Sequence, residues 1–171
     1  MTRPAARLAA LICALCLSPT AMAAAPAAHQ IRVRIEPDTQ WLEGRDSIRF
    51  DAPRAATLVL STRFHVDSLV VDGQRIEASG RAAIAAAGGF QRIALPAARR
   101  IDLGCCGVLA ALDQSLDHRQ TLAYDLPASA KEGTFLPSGS GWYPMLDASL
   151  ESYELELDLP VRQAAAQQVQ L

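Results

Sequence analysis

The sequence predicts an all-β protein, a mainly antiparallel β-sandwich or a saddle-shaped curved sheet, on three observations. Apolar residues recur at every second position: Ile31, Val33 and Ile35, and later Tyr153, Leu155, Leu157 and Leu159 with Glu154, Glu156 and Asp158 between them. A two-residue period sends one set of side chains to a buried face and the other to water. Turn residues punctuate such segments at strand-like intervals, most clearly Asp72-Gly73, a pair that tolerates the positive φ angles of a type I′ turn. Helical periodicity is almost absent, and no repeat of solenoid period appears.

Residues 1–23 read as a secretory signal peptide. Arg3 and Arg7 precede the apolar run from Leu8 to Leu17, and Ala21-Met22-Ala23 supplies a small-x-small cleavage pattern. The run is far shorter than the roughly 20 residues that cross a bilayer, so no membrane span is expected after cleavage. Ile12 and Leu15 precede Cys13 and Cys16, where a lipoprotein signal would need a small residue. The expected location is periplasmic or secreted. Residues 24–28 form a short linker, 29–160 the β domain, and 161–171 a poorly defined tail without a closing motif.

Cleavage removes two arginines and no acid, so 16 basic and 18 acidic residues become 14 and 18, a formal charge of about −4. With no basic footprint and no aromatic stacking platform beside the arginine pairs, nucleic acid is excluded as a partner. The remaining chain of about 148 residues suits a single core. Only Cys105 and Cys106 survive processing. Neighbours on a strand point to opposite faces, so they are expected as small core or half-buried residues rather than a disulfide.

Along the chain, the alternating residues 30–36 and the extended run Trp41–Phe50 predict a hairpin broken at Pro37-Asp38 and ended by Pro53. Gly44 is expected at a bulge or a close approach of another backbone. Thr57–Ser61 and Phe64–Val71 predict strands, the second turning at Asp72-Gly73 into Gln74–Ala78. Residues Ala82–Gly89 read as a loop, because Gly88-Gly89 ends the alanine run before helical length. Phe90–Leu95 and Arg100–Leu109 predict two strands separated by a turn at Pro96. Asp113–Gln120 reads as a polar loop, Thr121–Leu126 as a short strand closed by Pro127, Lys131–Gly141 as a loop, and Leu150–Leu159 as the last strand.

The chemistry of a zinc peptidase needs two histidines four residues apart on a helix with a glutamate after the first. His29, His65 and His118 are scattered and read as solvated or hydrogen-bonded residues; grouping Asp117 and His118 with Cys105 and Cys106 matches no standard metal spacing. The Gly139-Ser140-Gly141 run is not a nucleophile elbow, since neither Ser138 nor Ser140 has glycines two residues before and after it. No Gly-Lys-Ser/Thr phosphate loop follows either. Asp67 and Asp72, or Glu151, Glu154 and Glu156, read as solvated strand faces rather than paired acids. No catalytic, metal or cofactor-binding residue is therefore assigned. Trp142, Tyr143 and Pro144, flanked by glycines, have two readings: a buried aromatic anchor beneath the loop, or an interface that grips a neighbouring domain.

Taken together, His29-Gln30-Ile31-Arg32-Val33-Arg34-Ile35, Trp41-Leu42-Glu43-Gly44-Arg45-Asp46-Ser47-Ile48, Val70-Val71-Asp72-Gly73, the strand with Gly107, and Ser138-Gly139-Ser140-Gly141-Trp142-Tyr143-Pro144 resemble the N-terminal domain of aminopeptidase N-like zinc metallopeptidases, over residues 29–160. The Leu-Glu-Gly and Trp-Tyr-Pro segments are the most specific parts. The resemblance implies a saddle-shaped β domain that packs against a thermolysin-like catalytic domain and helps to roof its substrate cleft, with the Trp142 segment near that interface. The family's Gly-Met-Glu-Asn strand and zinc motif would fall after residue 171, so neither zinc binding nor hydrolysis carries over to any residue here. Cys105 and Cys106 depart from the tyrosine and polar residue that the resemblance suggests before Gly107. The expectation is a non-catalytic exported domain, a truncated product or one whose catalytic partner is encoded separately. Two alternatives are a free-standing carbohydrate- or peptide-binding sandwich that stacks ligands on Trp142 and Tyr143, and an unstable remnant that associates through an unpaired sheet edge.

Overall fold

The computed structural model describes residues 26–77, 84–112, 126–147 and 151–159, with backbone alone for 84–87. Strand β1 (Ala27–Glu36) turns Ala27, His29, Ile31, Val33 and Ile35 inward and its even-numbered residues to solvent. A turn over Pro37–Gln40, with Gln40 at φ 58°, returns the chain as β2 (Trp41–Ser61), antiparallel to β1 with Val33 opposite Gly44. There follow β3 (Phe64–Val71), β4 (Gln74–Arg75), β5 (Ile84–Ala87), β6 (Phe90–Val108), β7 (Ala110–Ala111), β8 (Ala128–Ala130), β9 (Gly133–Phe135), β10 (Met145–Leu146) and β11 (Glu151–Asp158).

Every regular element among the described residues is a strand, and none is a helix long and apolar enough to cross a membrane. An eight-stranded sheet runs β11-β1-β2-β6-β3-β4, with β10 added to β2 and β5 to β6; β7-β8-β9 form a second, three-stranded sheet. Pairing is antiparallel apart from β1 with β11 and β7 with β8. The protein is all-β and mainly antiparallel.

Prolines 53 and 96 bend strands instead of ending them, which corrects the sequence reading. β2 and β6 stay paired from Trp41 opposite Val108 to Ser61 opposite Phe90, with register shifts between Arg49, Arg54 and Ala56. Pro53 lies in the first irregular stretch, and Pro96 opposes the second. A proline cannot donate to the ladder, so a bulge is where a long strand tolerates one, and a bulge also bends and twists the strand. The bend lets both ends of β2 feed one core: Leu42 and Ile48 from one half, Leu58 and Leu60 from the other, all fully buried, with Ile93 and Ile101 of β6. Each such side chain contributes roughly 1.5–3 kcal/mol on burial.

The stretch 84–89, expected as a loop, is also part of a hairpin. Ile84–Ala87 pair with Phe90–Ile93, and Gly88-Gly89 turn the corner at φ 61° and 81°. Consecutive positive φ values suit a two-residue type I′ turn, so the glycine pair marked a hairpin rather than the end of an abortive helix. Asp72 and Gly73, at φ 47° and 82°, behave as expected, and the Asp72 carboxylate also accepts the Arg99 and Arg100 amides at 3.0 and 2.8 Å. The expected loop 131–141 contains β9, and Gly44 sits in unbroken register rather than at a bulge. The readings for 113–120 and 121–125 lie outside the described residues.

Candidate functional site

The segment after β9 is shaped by a glycine whose replacement is blocked twice. Gly141 has φ +69°, and a Cβ there would stand 2.6 Å from the Ser61 amide nitrogen and 2.9 Å from the Phe90 ring. Its carbonyl accepts a 2.9 Å hydrogen bond from that amide, while Ser140 folds back on Pro137, its hydroxyl donating to the Pro137 carbonyl at 2.8 Å. The chain is thereby steered inward, and Trp142 comes to rest 7 % exposed. Its indole lies with Tyr143 and Pro144 over Ile31, Val33, Gly44, Asp46 and Cys105, around a gap of only about 10 Å³. That is at the limit for a single water and far below a ligand pocket of about 300 Å³ or more.

Of the candidate interface residues, Trp142 and Pro144 are therefore buried in this chain and Tyr143 is half-buried. A solvent-facing stacking platform made of Trp142 and Tyr143 is not what the burial provides. Tyr143 packs edge-on to Trp142, with ring centroids 4.8 Å apart at 60°, and edge-on to His29 at 6.1 Å and 89°. Burial, reinforced by the nearby Glu151 carboxylate, pushes its phenol up to about 12.

Behind this aromatic layer lies a buried polar cluster that matches no local sequence motif. His29 Nδ1 and Asp46 Oδ2 are 2.6 Å apart, with side chains 0 % and 1 % exposed. One proton lies between them. The other ring nitrogen, Nε2, faces Glu151 Oε2 at 3.9 Å, and Glu151 Oε1 accepts the Leu146 amide at the start of the connection to β11. Burial raises the Asp46 carboxyl above its ordinary value, opposed by the hydrogen bond to His29. The cluster ties β1, β2, β10 and β11 together beneath Tyr143. Enclosed as it is, the pair serves as a polar bolt, not as a reactive dyad open to substrate. The signal was present in the strand parity: His29 shares the inward parity of Ile31 and Val33, and Asp46 that of Leu42 and Ile48.

The remaining candidates stay apart. His65 is exposed on β3, opposite Cys106 in register; Asp117 and His118 lie outside the described residues. Cys105 is buried and Cys106 half-buried, on opposite faces of β6, as free thiols. No group of three or more His, Cys, Asp and Glu side chains among the described residues is arranged to hold a metal ion. Glu154 and Glu156 stand on the wet face of β11 as expected, but Glu151 does not: it has the opposite parity and turns toward His29. On that outer face Arg32, Arg34 and Arg45 alternate with Glu43, Glu156 and Asp158 along a shallow groove. Its charges are largely matched, with Arg32 on Glu156 at 2.8 Å and Arg34 on Glu36 at 2.8 Å.

No protein-family model and no curated protein matches the chain. Among solved structures, it is similar to an M1 zinc metallopeptidase from Deinococcus radiodurans, at 17 % identity and a TM-score of 0.49, over 81 % of this chain and 32 % of that one. A point mutant of a two-domain M1 zinc metallopeptidase bound to L-tryptophan aligns at 16 % identity and a TM-score of 0.49, over 78 % of this chain and 32 % of that one. A Deinococcus radiodurans M1 zinc metallopeptidase mutant bound to a Tyr-Ser-Ala substrate gives 15 % and 0.44, over 80 % and 32 %. The chain thus spans about a third of the length of the solved structures it is similar to.

Proposed function

We propose that this chain is the non-catalytic N-terminal β domain of an exported aminopeptidase N-like metallopeptidase, and that it packs against a catalytic domain lying outside residues 1–171. The observation that carries this reading is the convergence of the resembling segments. His29–Ile35 is β1, Trp41–Ile48 the first half of β2, Val70–Gly73 the end of β3 and its turn, and Gly107 lies on β6. These strands are neighbours in one sheet, and Trp142, Tyr143 and Pro144 of the Ser138–Pro144 segment lie against the inner face of β1, β2 and β6. Segments scattered over more than a hundred residues thus meet as one body. The leader-like residues 1–23 support export.

With Trp142 and Pro144 buried, the contact with a catalytic domain falls to the exposed edge of Tyr143 and the surface around it. Their role is to hold that surface in shape. The purified protein is expected to hydrolyse no aminoacyl arylamide, with or without added zinc; metal-dependent turnover that survives contaminant controls would overturn the reading. DNA following codon 171 is expected to encode a two-histidine zinc helix, in frame or shifted. An unrelated neighbouring gene would favour a free-standing module.

A further inference from the structure

β11 is the last strand of the eight-stranded sheet, and among the described residues it pairs with β1 on one side only. Its inward face is incompletely covered. Tyr153, in register with buried His29, is 49 % exposed, and Leu155 and Leu157, in register with buried Ile31 and Val33, are half-buried although they touch the core. Its outer face is acidic: Glu156 is paired with Arg32, but Glu154 stands opposite Gln30, and the arginine opposite Asp158 is held by Glu36.

An edge strand offers unpaired N–H and C=O groups as a template for another extended segment. A second copy of β11 would set carboxylates against carboxylates, which is unfavourable directly across a ladder. β1 shows what β11 accepts. On its occupied side β11 pairs with Ile31 and Val33 alternating with Arg32 and Arg34.

We propose that the edge of β11 left unpaired among the described residues takes up, by strand addition, an extended segment of a partner polypeptide in which apolar residues alternate with arginine or lysine. The apolar set covers Tyr153 and Leu155, and the basic set faces Glu154 and Glu156. This inference does not rest on the metallopeptidase reading, since it follows from the register, exposure and charge of one strand.

The test is fluorescence anisotropy of the full chain with a labelled short peptide alternating valine and arginine. Binding is expected to weaken roughly tenfold or more, about 1.4 kcal/mol per decade, in three arms. These are a peptide with glutamate in place of arginine, a protein carrying Glu154→Lys and Glu156→Lys, and a peptide N-methylated along one backbone edge. Raising salt is expected to weaken it as well. The N-methyl arm separates strand addition from charge attraction alone. Unchanged binding of the N-methylated or the glutamate peptide would overturn the proposal. So would no binding at low salt, or cross-linking of the chain to itself through β11, which would make a second copy the occupant.

Discussion

Asp46 occupies an inward position of β2 between Gly44 and Ile48, where a carboxylate is costly unless a partner shares its proton. His29 is that partner, at 2.6 Å. Because burial holds the Asp46 carboxyl above the ordinary carboxylate value of about 3.9, its contribution to stability is full below that value. The contribution is lost as pH rises through the raised one. Asp46→Asn is therefore expected to flatten the part of the wild-type decline in Tm that begins just above pH ~4; parallel Tm–pH curves would count against the assignment. His29→Ala should be costlier, about 3 kcal/mol by urea unfolding, because it strands a buried acid. The cysteines make a second prediction. Burial pushes the Cys105 thiol up to about 12, and the half-buried Cys106 is raised as well, by desolvation and then by Asp67 and Glu43. Since the thiolate is the reacting form, a thiol reagent at pH ~8 should label Cys106 first and Cys105 only as the protein unfolds. Simultaneous labelling of the native protein would contradict the faces assigned to β6. Strand parity made these positions legible, but parity alone does not say that residues 29 and 46 meet.

Among the elements, β11 shows most plainly what alternation can and cannot say. Its two faces were readable from Tyr153–Leu159, and Leu155, Leu157 and Leu159 do pack on the core. Their partial exposure was not readable, because it depends on β11 being an edge strand. Leu157→Asp should accordingly cost about 1–3 kcal/mol and loosen β11, while Glu156→Lys, which breaks only an exposed pair with Arg32, should cost at most about 1 kcal/mol. Equal losses in denaturant unfolding would mean that the opposite face is inward. Before β10, Gly141→Ala should cost about 2 kcal/mol or more. It forces a Cβ into the left-handed region at about 1–2 kcal/mol and drives it against the Ser61 amide. A Tm unchanged from wild type would refute the steering role given to this residue. The bulged β2–β6 pair and the Gly88-Gly89 hairpin differ from the local sequence pattern for a shared reason. Proline and glycine mark a departure from regular pairing, but whether the chain bends and continues, or stops, is decided by the strand that lies opposite.

Across the whole molecule the dominant pairings are remote in sequence: Ala27 lies opposite Glu151, and Trp41 opposite Val108. Loops of that size must close before any contact rewards them, so refolding followed by tryptophan fluorescence is expected in the millisecond-to-second range; a microsecond phase carrying the full amplitude would show that local structure dominates instead. The sequence by itself determined the all-strand character, the inward faces of β1 and β11, and the Asp72-Gly73 turn. Each is written in a two-residue period or in a local φ requirement. Tertiary structure alone decided the joining of β2 and β6 through their bulges, the parallel placement of β11 beside β1, the closure of His29, Asp46 and Glu151 into one cluster, and the burial of Trp142. In each case the outcome depends on which distant strand fills the space opposite, and a local pattern carries no information about that.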